Sequence, residues 1–117
     1  METIKFYDEL PPMECFAGDT LPGFHIIPEG ITGFSNGSMV LLLEENKVQG
    51  AVALQKSCSY VEDTALGGHF YVKLSTADTS GLCGTYRVHI ILTVGTDDHE
   101  KLTGTLHVRA KVRGSTS

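Results

Sequence analysis

The chain has 117 residues, 41% of them hydrophobic, with 14 acidic and 9 basic side chains for a formal net charge of -5. This length suits one domain with a real core, and the hydrophobic share excludes disorder throughout. The acidic balance argues against a nucleic-acid partner, which needs a concentrated basic surface.

In chain order, residues 1–12 hold a short strand, Ile4-Lys5-Phe6-Tyr7, closed by Pro11-Pro12. Two consecutive prolines donate no ladder hydrogen bonds, so this piece reads as an edge strand or an N-terminal arm. Met13-Glu14-Cys15-Phe16-Ala17 and Leu21-Pro22-Gly23-Phe24-His25-Ile26-Ile27 read as one long first strand interrupted by a turn or bulge at Gly18-Asp19. Turn formers then cluster from Pro28 to Gly37. Met39-Val40-Leu41-Leu42-Leu43 is apolar on both faces, which suits a central strand with its second face covered by a loop or by another subunit. Val48 to Leu54 gives a further strand, and Cys58 to Val61 a short one.

The clearest patterning runs from Phe70 to Val108. Phe70, Val72 and Leu74 alternate with His69, Tyr71 and Lys73, then Tyr86, Val88, Ile90, Leu92 and Val94 with Arg87, His89, Ile91 and Thr93, and then Leu102, Leu106 and Val108 with largely polar neighbours. Period-two alternation places each set on one sheet face. These three strands therefore need a second layer over their oily face, to be supplied by the first half of the chain. Between them, Ser75 to Leu82 is the best helical turn, with Ser75 or Thr76 as cap and Asp78 favouring its N-terminal end. The expected fold is an all-β, immunoglobulin-like antiparallel β-sandwich of about seven to nine strands. It spans residues 13–112, with a disordered tail at residues 113–117. Arg109, Lys111 and Arg113 fit a solvated edge strand or tail.

Few groups invite chemistry. Cys15, Cys58 and Cys83 are odd in number and far apart, so a disulfide framework or a structural zinc site is not expected. Buried or half-buried free thiols are expected instead. A catalytic Cys58 or Cys83 would need a base that nothing in the sequence brings to it. His89 and His107 fall on one outward-facing set and would be cross-strand neighbours. With His99 or a nearby carboxylate they would make a metal site, but two solvent-facing polar residues are the favoured reading. Asp97-Asp98-His99-Glu100 lacks the ligand alternation of a calcium loop and reads as a hairpin turn. No catalytic residue, metal or cofactor is expected.

Tyr86 follows Gly84-Thr85 and fits a tyrosine corner, its ring buried and its hydroxyl bonded to upstream backbone, with Gly84 permitting a tight approach; a plain core tyrosine is the other reading. Phe24, Phe34, Met39, Leu41 and Ile91 are candidate subunit contacts or ordinary core.

Three segments carry a family resemblance: Gly18-Asp19-Thr20-Leu21-Pro22-Gly23, then Leu74 through Asp78-Thr79 to Gly84-Thr85-Tyr86, then Leu102-Thr103-Gly104-Thr105-Leu106-His107-Val108. Together, over residues 13–108, they resemble the immunoglobulin-like β-sandwich of tail and baseplate proteins of tailed phages and prophages, including the N-terminal domain of the baseplate upper protein. The chain departs from the family's pattern at Ile31-Thr32-Gly33, which is followed by extra loop, and at His89, where an acidic residue is common. The resemblance implies a non-enzymatic assembly module. Its partners would be other tail or baseplate proteins, or a second copy in a homo-oligomer. It would reside in the bacterial cytoplasm during assembly and then in the virion tail. No signal peptide is read at Met1 to Lys5 and no run spans a membrane, so neither export nor membrane insertion is expected. The alternative is a ligand-binding sandwich for host-surface carbohydrate, with Phe34, Tyr60 and Tyr71 as its aromatic candidates.

Overall fold

The fold is carried by β1 (Glu2–Lys5), β2 (Met13–Phe16), β3 (Phe24–Ile27), β4 (Ser38–Glu45), β5 (Val52–Asp63), β6 (Gly67–Val72), β7 (Gly84–Val94) and β8 (Asp97–Arg109), with a short α-helical turn, α1 (Thr76–Thr79), and a 3-10 turn at Phe34–Asn36. The computed structural model describes residues 2–10, 12–21, 23–47, 50–65 and 67–110. Pro11, Pro22, Val48, Lys111, Arg113, the tail 113–117 and the side chain of Leu102 lie outside the described residues.

The strands make one curled, mixed sheet in the order β1-β3-β6-β5-β4-β7-β8-β2. The curl has an identifiable source in β5. Its residues Val52 to Cys58 pair with β4, and its residues Ser59 to Asp63 pair with β6. A strand this long carries enough twist to turn its two ends toward different neighbours. The sheet therefore wraps its apolar face inward around one core.

That face follows the alternation. Met39, Leu41 and Leu43 of β4, Val88, Ile90 and Leu92 of β7, and Leu106 and Val108 of β8 are buried, and they meet Ile26 of β3 with Phe70 and Val72 of β6. Each such side chain contributes about 1.5–3 kcal/mol when fully removed from water. The long stretch from Phe70 onward thus spans both ends of the curl: β6 pairs with β3 and β5, whereas β7 and β8 pair with β4, each other and β2.

Several expectations are corrected here. The sheet is mixed rather than antiparallel, because β1 runs parallel to β3 and β2 parallel to β8. The supposed single first strand is two strands, β2 and β3, placed near opposite ends of the strand order. Its turn at Gly18-Asp19 lets the chain cross from one end to the other. The expected strands ending at Leu54 and spanning Cys58 to Val61 are not separate: among the described residues β5 runs unbroken from Val52 to Asp63. The opening segment packs on its own chain: Ile4, Phe6 and Leu10 are buried in the common core. Its strand stands at one end of the strand order, in keeping with the edge-strand reading. Arg109 lies on β8, which β2 covers, and its guanidinium donates to Glu14 at 3.0 Å across that pairing. The β7–β8 hairpin turns at Gly95-Thr96 alone, because Val94 already faces Asp97. A bulge shifts the register between Val88 and His89, so Leu102 stands opposite His89 and the run from Leu102 to Val108 does not alternate cleanly.

Candidate functional site

The residues singled out by sequence converge at one end of the sheet, where Gly18-Asp19-Thr20 meets α1. Ser75 is the cap: its hydroxyl accepts the Asp78 amide, while the Asp78 carboxylate accepts the Ser75 amide at 2.8 Å, a capping box. The Asp78 carboxylate also takes Lys56 Nζ from β5 at 2.6 Å. These donors, Lys56 first and the Ser75 backbone next, hold its carboxyl below the usual range.

Thr79 completes the joint. It is fully buried, and its hydroxyl donates to the Asp19 carbonyl at 2.7 Å while accepting the Gly18 amide at 3.1 Å. The Thr20 and Thr76 hydroxyls bond at 2.9 Å, and the Leu21 amide donates to the Leu74 carbonyl at 3.0 Å. Asp19 shapes its own turn by accepting the Phe16 amide at 2.9 Å. Two loops some sixty positions apart are thereby locked by side chains whose hydrogen-bonding capacity is spent on each other. Such satisfied networks rigidify a fold.

Tyr86 sits at the next turn. Its ring is buried, and its hydroxyl donates to the Cys83 carbonyl at 2.9 Å while accepting the Cys83 amide at 2.8 Å. This bond back to upstream backbone is the geometry anticipated for a tyrosine corner. Gly84 enables it for a different reason than expected. No atom approaches its missing side chain, but its φ of 111° is a conformation that side-chain-bearing residues avoid. The close approach belongs to Gly104, where a Cβ would stand 2.9 Å from the Leu10 carbonyl. Gly104 therefore makes room for the N-terminal segment over the β8 bulge.

The candidate contact residues divide between core and surface. Phe24, Met39 and Leu41 are core residues and present no surface. Their strands curl, so these faces close on one another. Phe34 and Ile91 are half-buried. Ile91 stands between Val40 and Glu100 in the register, on the outer side of the sheet. Val40 and Leu42, the second apolar face of β4, are likewise half-buried there.

His89 and His107 are not cross-strand neighbours. His89 faces Leu102 and lies between Glu44 and Glu100, at 3.5 and 3.4 Å, whereas His107 faces Thr85 and bonds its hydroxyl at 2.8 Å. Among the described residues no group of three His, Cys, Asp or Glu could hold a metal ion. Burial pushes the Cys58 thiol up to about 12, which opposes the thiolate a nucleophile requires. Cys15 is buried, and Cys83, expected to be buried or half-buried, is exposed because the corner bonds its backbone and leaves its side chain in solvent.

The aromatic candidates for a sugar platform separate. Tyr60 and Phe34 gather around Phe70, with ring centroids 5.4 and 6.3 Å from it. Tyr71 pairs in register with His25 and Ser59, on the opposite side of the sheet from Phe70. Lys56, and a hydrogen-bonded pair formed by His25 and His69, were not singled out in the sequence. Neither sits in a motif, and only strand pairing shows their partners. No protein-family model matches the chain, and a search of curated proteins finds no match.

Proposed function

We propose that this chain is an immunoglobulin-like β-sandwich module of a phage or prophage tail, non-enzymatic and acting through protein–protein contacts with other tail or baseplate proteins. The observation that supports this reading is the convergence at the Thr79 joint. Gly18-Asp19, Asp78-Thr79 and the corner at Gly84 and Tyr86 are the segments that resemble the tail family. Gly18 and Asp19 are bonded to Thr79, and Tyr86 closes the turn that follows α1. The role that this arrangement suits is a rigid spacer, whose turns are fixed from within and whose outer surfaces are left to partners.

Tailed particles purified from the strain that encodes the chain provide the test. Their proteins would be inventoried by mass spectrometry, and the chain located by antibody labelling in negative-stain micrographs. Labelled tails or baseplates are the expected result. Particles whose full inventory lacks the chain would overturn the proposal. If a glycan array then showed binding by the purified protein, the carbohydrate module would replace it.

A further inference from the structure

The edges of the sheet are treated unequally. β1 and β2 stand at the two ends of the strand order. An unpaired strand edge presents a row of free amides and carbonyls to any other strand. At β1 that row is interrupted by Asp8: its carboxylate accepts the Lys5 amide at 3.3 Å, and its own amide donates to the Lys5 carbonyl at 2.9 Å. Asp19 does the same for β2, accepting the Phe16 amide at 2.9 Å and donating to the Phe16 carbonyl at 3.0 Å. Exposed charge pairs also stand on both strands, Lys5 with Glu29 and Glu14 with Arg109. Charge on the edge is a common device by which natural sheets avoid pairing with other chains.

β5 carries a third edge, opened by the curl itself. Leu54 to Ser57 pair in register with β4 alone, because β6 joins only from Ser59 onward and a register shift leaves Ala53 without a partner on β4. Among the described residues, no hydrogen bond from a side chain or loop reaches the backbone of this stretch. Successive residues turn their backbone groups to opposite edges, so part of the row points away from β4. Gln55 and Ser57 are exposed, whereas Leu54 packs on the core and the Lys56 ammonium is held by Asp78 at 2.6 Å. From residue 48 to residue 61, Lys56 is the only charged residue of the sequence.

We propose that this edge of β5 is a self-association surface, on which a second copy of the chain lays the same stretch antiparallel about a two-fold axis. The charge pattern selects the occupant. In a chain of net charge -5, this stretch meets its own copy without like-charge repulsion, since its one cation is already matched by Asp78. A two-fold contact needs a single patch complementary to itself, and an antiparallel strand edge is such a patch. The capped edges at β1 and β2 deny a third copy a place to add. Assembly therefore stops at a dimer, in which the run β5-β4-β7-β8-β2 of one copy continues into that of the other. A stretch this short belongs at the weak end of specific interfaces, below the standard size of about 1,600 Å², so the dimer exchanges reversibly with monomer. The contact goes beyond the tail role and does not depend on it: a chain absent from every particle would dimerise equally.

The experiment measures the mass of the full chain by analytical ultracentrifugation from about 1 μM to about 1 mM. A reversible equilibrium of monomer and dimer is expected. Monomer throughout, or a ladder of larger species, would overturn the proposal. Two double variants locate the contact, Gln55→Glu with Ser57→Glu, and Gln55→Lys with Ser57→Lys. Both positions are exposed, and far-UV circular dichroism matching the wild type checks the fold. Each variant alone should dimerise about tenfold or more weakly, because like charges then face each other across the axis. An equimolar mixture of the two should recover the dimer. A dimer indifferent to both variants, or a mixture that stays monomeric, would overturn β5 as the surface. A reading on the unaltered chain needs no variant: amide exchange within Leu54 to Ser57 should slow as protein concentration rises. Exchange there that ignores concentration would overturn the proposal as well.

Discussion

At the scale of single residues, the strongest claims concern hydroxyls that hold backbone from a distance. Replacing Thr79 by Val keeps the shape but strands the Gly18 amide and the Asp19 carbonyl beside a buried methyl. Unsatisfied buried partners cost more than the bonds themselves gain, so Thr79→Val should destabilise by about 1–3 kcal/mol in chemical denaturation. Tyr86→Phe removes the donor to the Cys83 carbonyl and the acceptor for its amide. A loss of about 1 kcal/mol or more is expected, with no change of mass in solution. An unaltered unfolding midpoint would reject the corner as a source of stability. Asp78 adds a dependence on acid. Its folded carboxyl is held low by Lys56 and the Ser75 amide. The stability it contributes is therefore present above the ordinary aspartate value of about 3.9, and is lost as the pH falls through the lower, folded value. The gap in unfolding midpoint between wild type and Asp78→Asn should narrow as the pH is taken from 6 toward 2. A constant gap would show that the ion pair and capping box contribute nothing through charge.

At the scale of elements, β5 and the N-terminal segment decide the architecture. The twelve residues of β5 hand the sheet from β4 to β6, the first part pairing with one and the last with the other. The segment from Ile4 to Leu10 enters the core from the other side, with Phe6 completely buried. Phe6→Ala should then cost about 3–5 kcal/mol, measured by thermal or urea unfolding, in the manner of a core aromatic. A cost under about 1 kcal/mol would mean that the segment is held loosely. Gly104 guards the same packing from the opposite strand, since any side chain there would press on the Leu10 carbonyl.

At the scale of the whole molecule, much was legible in the chain and the remainder was hidden for physical reasons. The alternation in Phe70–Val72, Tyr86–Leu92 and Leu106–Val108 announces strands and their buried faces, because side-chain direction in a strand is a local property. The cap at Ser75 and the turn at Gly18-Asp19 are likewise local, since the bonds that make them span only a few positions. That much the amino-acid order determined by itself: an all-β chain, its turns, and which side chains of its clear strands seek the core. Partnership was decided only by the tertiary structure. Nothing within Glu2–Lys5 says that it will run parallel to β3, nor within Met13–Phe16 that it will run parallel to β8. Thr79 meeting Gly18, Lys56 meeting Asp78 and His25 meeting His69 all depend on where distant segments come to rest. Pairing across such separations is set by the joint fit of the whole sheet, which only the folded chain evaluates.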